Sequence, residues 1–291
     1  MNLEDYVKTQ VKNLIKDVTI KLPQDLLNAL KFYLDNIAGS ERAKFMLKSI
    51  LMNCELAITE EVPICQDTGI PTFIVRIGDY FPLKSKIENI LKYAVMEATK
   101  EIPLRPNTTC PITNKLSGSN VGRYVPWIDY ELVEGDYVDI FYVPKGGGSE
   151  YPCKALTITP RNPWNMLKRL FLKILTKYHA MPCPPLIIGI GIGGTIDMAV
   201  KIAKKALYLR RINERHDEKF IARIEEELID LGNRLEVGPH GVGDYPTIID
   251  VHIDYAYRHP ATFSIAFIIS CWAYRRGGIR IYSSGKIEKI L

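Results

Sequence analysis

The 291-residue sequence lacks any apolar run as long as the roughly 18–20 residues that a membrane-spanning helix requires. It also lacks a charged start followed by an apolar stretch, so we expect no signal peptide. Repeats and low-complexity tracts are absent. With 47% hydrophobic and 24% charged residues, the composition is that of a globular chain, which we expect in the cytoplasm and not in a membrane.

Paired cysteine motifs are also missing, because none of the six cysteines forms a CxxC pair. This absence disfavours zinc ribbons and thioredoxin-like redox sites, and six cysteines in a cytosolic chain of this length do not suggest disulfides. We expect Cys54, Cys110 and Cys153 to be buried and to act as small apolar residues. Cys153 follows a glycine loop, where a ligand role is possible but not required. The net charge of +5 is mild, and interleaved charges, as in residues 210–227, disfavour nucleic-acid binding.

Helical spacing of apolar residues dominates the first part of the chain, from residue 2 to about 59. Strands and helices then follow without regular alternation, which favours an α+β fold over a doubly wound sheet. We expect N-terminal helices followed by a mixed, largely antiparallel sheet flanked by helices, all in one catalytic domain of residues 1–291. Residues 130–144 predict a hairpin, and residues 115–126 form the best candidate for a mobile lid.

Three cysteines stand at the ends of predicted elements. Cys65 lies two residues from Asp67, at the foot of a strand-like run, so a soft metal ligand and a carboxylate share one loop. Cys183 precedes a second strand, and Cys271 closes the apolar run 263–270. Thiolates so far apart in sequence can reach one inorganic centre only if the whole fold brings them together.

Two glycine-rich strings allow other interpretations. Gly189–Gly194 fits GxGxxG after a strand and before a helix, which is the pattern of a dinucleotide site. About 185 residues precede it, however, whereas such a site normally opens its fold. The string 145–150 suits either a ligand-binding loop or a flexible hairpin exit, and the sequence leaves both open.

Two further polar residues have unremarkable explanations when taken singly. Arg105 precedes a proline and has the planar fork that binds carboxylates, although an isolated arginine is more often a surface residue. His259, before Pro260, would ordinarily be a satisfied loop histidine.

Taken in order, these strings resemble the alpha-type half of the iron–sulfur-dependent class I fumarate hydratases and L-tartrate dehydratases. The strings that carry the resemblance are Cys65-Gln66-Asp67-Thr68-Gly69, Arg105-Pro106-Asn107, Lys145-Gly146-Gly147-Gly148-Ser149-Glu150, Cys183-Pro184-Pro185, Gly191-Ile192-Gly193-Gly194-Thr195, Tyr257-Arg258-His259-Pro260 and Cys271.

The resemblance implies a [4Fe–4S] cluster with one iron open to substrate. Its three ligands would be Cys65, Cys183 and Cys271, in keeping with the thiolate preference of such clusters. The implied reaction is reversible hydration of a C4 dicarboxylate, with fumarate to L-malate, a step of the tricarboxylic acid cycle, expected first. L-tartrate or a methylated analogue is the alternative substrate.

The resemblance also assigns roles to other residues. Asp67 and His259 are implied as proton-relay or orienting groups. Gln66, Arg105 and Gly148 are implied as substrate contacts, with Arg105 on a carboxylate and the Gly148 N–H on a substrate oxygen.

A separate beta-type subunit would complete the active site in a cleft between the two halves, as an α2β2 assembly. Two strings, at residues 149–153 and 243–245, depart from the family pattern. These departures bear on the identity of the substrate more than on the presence of the cluster. A nucleotide-binding module using Gly189–Gly194 and a non-enzymatic scaffold are the competing hypotheses.

Overall fold

The computed structural model describes residues 2–291, which form eight α-helices and nine β-strands. The helices are α1 Leu3–Ile20, α2 Gln24–Asn36, α3 Glu41–Thr59, α4 Ile87–Glu101, α5 Gly147–Glu150, α6 Pro163–Tyr178, α7 Ile196–Leu209 and α8 Lys219–Asn233. The strands are β1 Thr72–Gly78, β2 Trp127–Val133, β3 Tyr137–Tyr142, β4 Lys154–Ile158, β5 Leu186–Gly193, β6 Ile248–Tyr255, β7 Phe263–Ser270, β8 Gly277–Tyr282 and β9 Ile287–Lys289. The α+β class and the helical N-terminus are confirmed, but the strands form two sheets instead of one.

The chain divides into two compact units. Unit 1 comprises Met1–Pro23, Asn53–Gly147 and Arg275–Leu291, and unit 2 comprises Gln24–Met52 and Gly148–Tyr274. The single catalytic domain stays a prediction. Among residues 2–291, no helix combines the length and apolar character needed to cross a bilayer.

Unit 1 is built on a five-stranded sheet in the order β2-β1-β3-β8-β9. Helix α1 buries Val7, Val11, Leu14 and Val18, whose spacing of three and four residues puts them on one helix face. This face belongs to the apolar core that also takes in α4 and the inner faces of the strands. The core fixes the strand β1, which begins just after the segment that carries Cys65.

The predicted hairpin at residues 130–144 is wrong, because β2 and β3 do not pair with each other. Both pair with β1, β2 in parallel and β3 antiparallel. Strand β1 is buried along nearly all its length and therefore takes an interior place between β2 and β3, whereas the half-exposed β2 suits an edge. The connection between β2 and β3 crosses the end of β1, so closely that a Cβ on Gly78 would lie 2.3 Å from the Gly135 carbonyl oxygen.

Unit 2 contains a four-stranded sheet in the order β4-β7-β5-β6. Strands β5 and β7 are buried at every residue, as expected for strands in the middle of a covered sheet. Helices α6 and α8 contribute their apolar faces to the same core. Cys183 lies just before β5 and Cys271 just after β7, which are antiparallel neighbours, so both cysteines lie at the same end of this pair of strands.

Candidate active site

A pocket of about 480 Å³ lies in unit 1 and brings together several residues predicted for the site. Its lining residues are Pro63, Cys65, Gln66, Thr68, Pro103, Leu104 and Arg105. The predicted ligand Cys65 is half-buried, while Gln66 and Arg105 are exposed and accessible to a ligand. Two segments about forty residues apart therefore supply a thiol, an amide and a guanidinium to one wall.

The Asp67 carboxylate organises the loop behind this pocket. Its Oδ1 accepts hydrogen bonds from the Gly69 N–H at 3.0 Å and from the Asn107 amide at 3.3 Å. Its Oδ2 accepts the Gly147 N–H at 2.7 Å. The space around Gly146 is tight, because a Cβ there would lie 3.0 Å from Asp67 Oδ2. The two strings Cys65–Gly69 and Lys145–Glu150 are thus tied together by one carboxylate.

The segment that carries Arg105 is held by its backbone. The Arg105 carbonyl accepts hydrogen bonds from the Asn120 amide at 3.1 Å and from the Thr68 hydroxyl at 3.3 Å. Asn120, only 1% exposed, also accepts the Asn107 N–H at 2.8 Å. With the backbone fixed in this way, the exposed Arg105 side chain remains available for a ligand. Neither Asn107 nor Asn120 is predicted from the sequence to have a role, and the only signal for Asn107 is its place in the string Arg105-Pro106-Asn107.

In unit 2, the segments of Cys183 and Cys271 come together. The Trp272 N–H, adjacent to Cys271, donates a hydrogen bond of 3.2 Å to the Cys183 carbonyl. Cys183 is exposed and has a φ of 56°, a left-handed conformation that is uncommon for a residue with a side chain and is concentrated at functional sites. The ring of His240 lies 5.9 Å from that of Trp272, and burial lowers the pKa of His240.

Gly148 and His259, also in unit 2, are both exposed. A Cβ on Gly148 would meet no atom closer than the Met181 carbonyl oxygen at 3.9 Å, so the backbone there is open to a ligand. His259 Nδ1 accepts the Ala261 N–H at 3.1 Å. The neutral ring consequently carries its proton on Nε2, which makes that nitrogen a donor.

No group of three or more His, Cys, Asp or Glu side chains within residues 2–291 is arranged to hold a metal ion. The donor set nevertheless suits a cluster. No disulfide joins any of the six cysteines, all of which lie in the described part of the chain. Each ligand of a cluster binds a different iron, so its thiolates stand farther apart than those around a single ion. Cys65, Cys183 and Cys271 are all at least partly exposed; Cys183 and Cys271 lie beside strand ends, and Cys65 lies in the loop before β1.

Gly189, Gly191 and Gly193 lie within β5 and not in a loop, and Gly194 lies in the bend between β5 and α7, contrary to the dinucleotide hypothesis. A Cβ on Gly189 would lie 2.2 Å from the Ala203 carbonyl oxygen, and one on Gly191 would lie 2.0 Å from that of Ala199. These glycines therefore let α7 pack closely on β5. A pocket of about 490 Å³ in unit 2, lined largely by aromatic and apolar side chains, contains none of the predicted site residues.

The sequence model of one protein family, described as "Fumarate hydratase (Fumerase)", matches residues 8–280. This chain belongs to the fumarate hydratase family. Membership confirms the resemblance and makes the chain a hydro-lyase.

Curated relatives cover nearly the whole chain. The "Putative L(+)-tartrate dehydratase subunit alpha" of Methanocaldococcus jannaschii is 39% identical, over 95% of this chain and 98% of that protein. The L(+)-tartrate dehydratase subunits alpha of Escherichia coli UTI89 and K12 are 32% and 31% identical, over 96% of this chain and 92% of each. The names of these relatives thus specify one subunit of a larger enzyme.

Proposed function

We propose that this chain is the alpha subunit of a [4Fe–4S]-dependent hydro-lyase that acts on a C4 dicarboxylate, with fumarate to L-malate as the first candidate reaction. The observation that carries the proposal is the pocket in which Cys65, Gln66 and Arg105 share one wall. A thiol and a carboxylate-binding cation in one pocket match the needs of a cluster enzyme with a dicarboxylate substrate.

The cluster ligands in this proposal are Cys65, Cys183 and Cys271. The hydrogen bond from Trp272 to Cys183 supports the pairing of the last two, because it joins their segments. When bound, a cluster with one iron free of protein ligands supplies a Lewis acid for a substrate hydroxyl and carboxylate. A cluster of this kind needs a reducing compartment. We therefore also propose that the protein is located in the cytoplasm.

Other residues of the chain bind and orient the substrate in this proposal. Arg105 binds a substrate carboxylate through its planar guanidinium, and Gln66 donates its amide to a neighbouring oxygen. The exposed Gly148 offers its N–H to another substrate oxygen. His259, with its proton on Nε2, orients the substrate as a hydrogen-bond donor or serves in a proton relay.

Asp67 is better suited to orienting than to proton transfer. Both of its oxygens already accept hydrogen bonds from Gly69, Asn107 and Gly147, so the carboxylate is engaged within its own loop. The same carboxylate holds the Gln66 and Gly147 segments in place. The general base is then expected from a beta subunit.

A beta-type partner is supported by the relatives, which are named as subunits alpha. We expect an α2β2 assembly whose beta chain supplies further substrate-binding and proton-transfer groups. L-tartrate dehydration is the second candidate function, and the names of the same relatives favour it. The two reactions differ by substrate hydroxyls, which a few pocket groups can discriminate.

The test is anaerobic reconstitution of the chain with iron and sulfide, alone and with its beta-type partner. About four irons and four sulfides per chain, with turnover only in the pair, are expected. Fumarate, L-malate and L-tartrate are then compared by kcat/KM, with Cys65→Ala as the inactive control. A preference for tartrate selects the second candidate, and a loaded pair that acts on none of the three refutes the proposal.

A further inference from the structure

Arg275 is a buried cation that the sequence analysis did not single out. It is 3% exposed and lies in unit 1, between Cys271 and the start of β8. Its Nη2 donates a hydrogen bond of 2.7 Å to the Asp67 carbonyl. Within residues 2–291, Nε and Nη1 of the same side chain are buried and have no hydrogen-bond partner.

This arrangement is unusual for a guanidinium. Arginine stays charged in proteins, and a buried charge is strongly destabilising unless it is paired. The described residues give Arg275 a carbonyl but no ion pair with a carboxylate. The charge of Arg275 acts on the neighbouring Tyr142 phenol. Burial raises the pKa of this phenol, and the positive charge of Arg275 offsets part of that rise. A positive charge without a protein counter-ion favours the arrival of an anion.

The hydrogen bond places this charge directly behind the pocket. Asp67 stands between Gln66 and Thr68, and both of these residues line the pocket. In a trans peptide, the N–H of Thr68 points in the direction opposite to the Asp67 carbonyl. The carbonyl faces Arg275, so the Thr68 N–H faces away from it. A hydrogen bond to a carbonyl also polarises the peptide and strengthens the N–H as a donor.

We propose that Arg275 is a positioning residue for dicarboxylate binding, which fixes the Asp67–Thr68 peptide and adds a second positive charge behind a pocket whose lining carries Arg105. The inference rests on the proposed function for the identity of the anion. A C4 dicarboxylate carries two negative charges, and Arg105 is the only charged residue in the lining of this pocket. Arg275 therefore acts on the second carboxylate through the peptide and through its field, without direct contact.

The test is titration of the full-length chain with succinate, an unreactive C4 dicarboxylate, with butyrate as the monoanion for comparison. Arg275→Gln removes the charge and Arg275→Lys keeps it. Arg161→Gln, at an exposed loop position, removes the same charge elsewhere. We expect Arg275→Gln to weaken succinate binding about tenfold or more, and Arg275→Lys to stay within about threefold of the wild type. Arg161→Gln should leave the affinity unchanged.

A wild-type measurement covers the case in which Arg275→Gln fails to fold. The ¹⁵Nε–H signal of Arg275, assigned by its loss in Arg275→Lys, should shift on addition of succinate but not of butyrate. Unchanged affinity in a folded Arg275→Gln chain, equal losses in the Gln and Lys variants, or an unmoved Nε–H signal would each overturn the inference. Failure of the proposed function is separate: it appears as absence of turnover in the wild-type pair, whatever Arg275 variants do to succinate binding.

Discussion

Asp67 Oδ2 accepts the main-chain N–H of Gly147 at 2.7 Å, across 80 residues of sequence. The bond joins the loop of the candidate ligand Cys65 to the second glycine-rich string. One carboxylate thus sets the relative position of two segments that the sequence analysis could only treat as separate motifs.

Asp67→Asn tests this organising role. An amide nitrogen cannot accept the Gly147 or Gly69 N–H, and losing a hydrogen bond to a charged group costs about 1.5–3 kcal/mol of stability. Misplacement of the loop by about 1 Å can lower the rate roughly 10²-fold. Urea unfolding and kcat/KM measure both effects. Asp136→Asn is the control, because the Asp136 carboxylate contacts only a surface serine among the contacts described. Wild-type stability and rate in Asp67→Asn would contradict the role.

The cluster assignment predicts a sharp difference among cysteine variants. Cys65→Ala, Cys183→Ala and Cys271→Ala should each lose bound iron, since a cluster needs its thiolates. Cys54→Ala should keep it, because burial and the Glu55 charge raise the pKa of the Cys54 thiol to about 11. Iron and sulfide analysis after anaerobic reconstitution measures the result. Full iron content in Cys65→Ala would remove that residue from the ligand set.

Cys110 and Cys54 should differ in their rates of thiol alkylation. Hydrogen bonds from the Thr113 hydroxyl and from the N–H groups of Thr113 and Ile112 lower the pKa of the exposed Cys110 thiol. Only the thiolate reacts, so Cys110 should be modified at a lower pH than an ordinary cysteine. Cys54 should resist iodoacetamide until the pH approaches about 11 or the chain unfolds. Peptide mass spectrometry across pH 6–10 measures both, and fast labelling of Cys54 in folded protein would refute the prediction.

The hydrogen-bonded Asp244 carboxylate is expected to stabilise the folded chain at neutral pH and to lose this effect in acid. Partial burial raises the pKa of its carboxyl, but hydrogen bonds from Ser40 and Gly39 outweigh burial and leave the pKa below its ordinary value. A depressed folded-state pKa means that the stabilisation is present above about pH 4 and is lost as the pH falls through the folded pKa. Asp244→Ala should cost about 1–3 kcal/mol at pH 7 and much less in acid. Urea midpoints at pH 7 and pH 3 measure the difference, and an equal loss at both would contradict it.

Gly191→Ala tests the packing role of the glycine string. The new Cβ would lie 2.0 Å from the Ala199 carbonyl oxygen, and overpacking of this kind costs about 1–3 kcal/mol. Gly39→Ala is the control, because its nearest atom would lie 3.7 Å away. Thermal unfolding should show a lower midpoint for Gly191→Ala only. Dinucleotide binding by the wild-type chain, lost in Gly191→Ala, would instead restore the nucleotide hypothesis.

The local elements and the candidate chemistry follow from the amino-acid sequence alone. The apolar spacing of residues 2–59 predicted helices, and the strings around Cys65, Arg105 and His259 predicted the family that the comparisons confirm. These features are local, because a helix face or a short motif depends on residues a few positions apart.

Strand pairing and the meeting of distant polar groups depend on the folded chain and could not be predicted from local sequence. The insertion of β1 between β2 and β3 depends on burial of β1 in a shared core, which a local turn signal does not record. Asp67 meets Gly147 across 80 residues and Arg275 across 208. Such long-range contacts are set by how sheets and helices pack, so the charge behind the pocket is visible only in the folded chain.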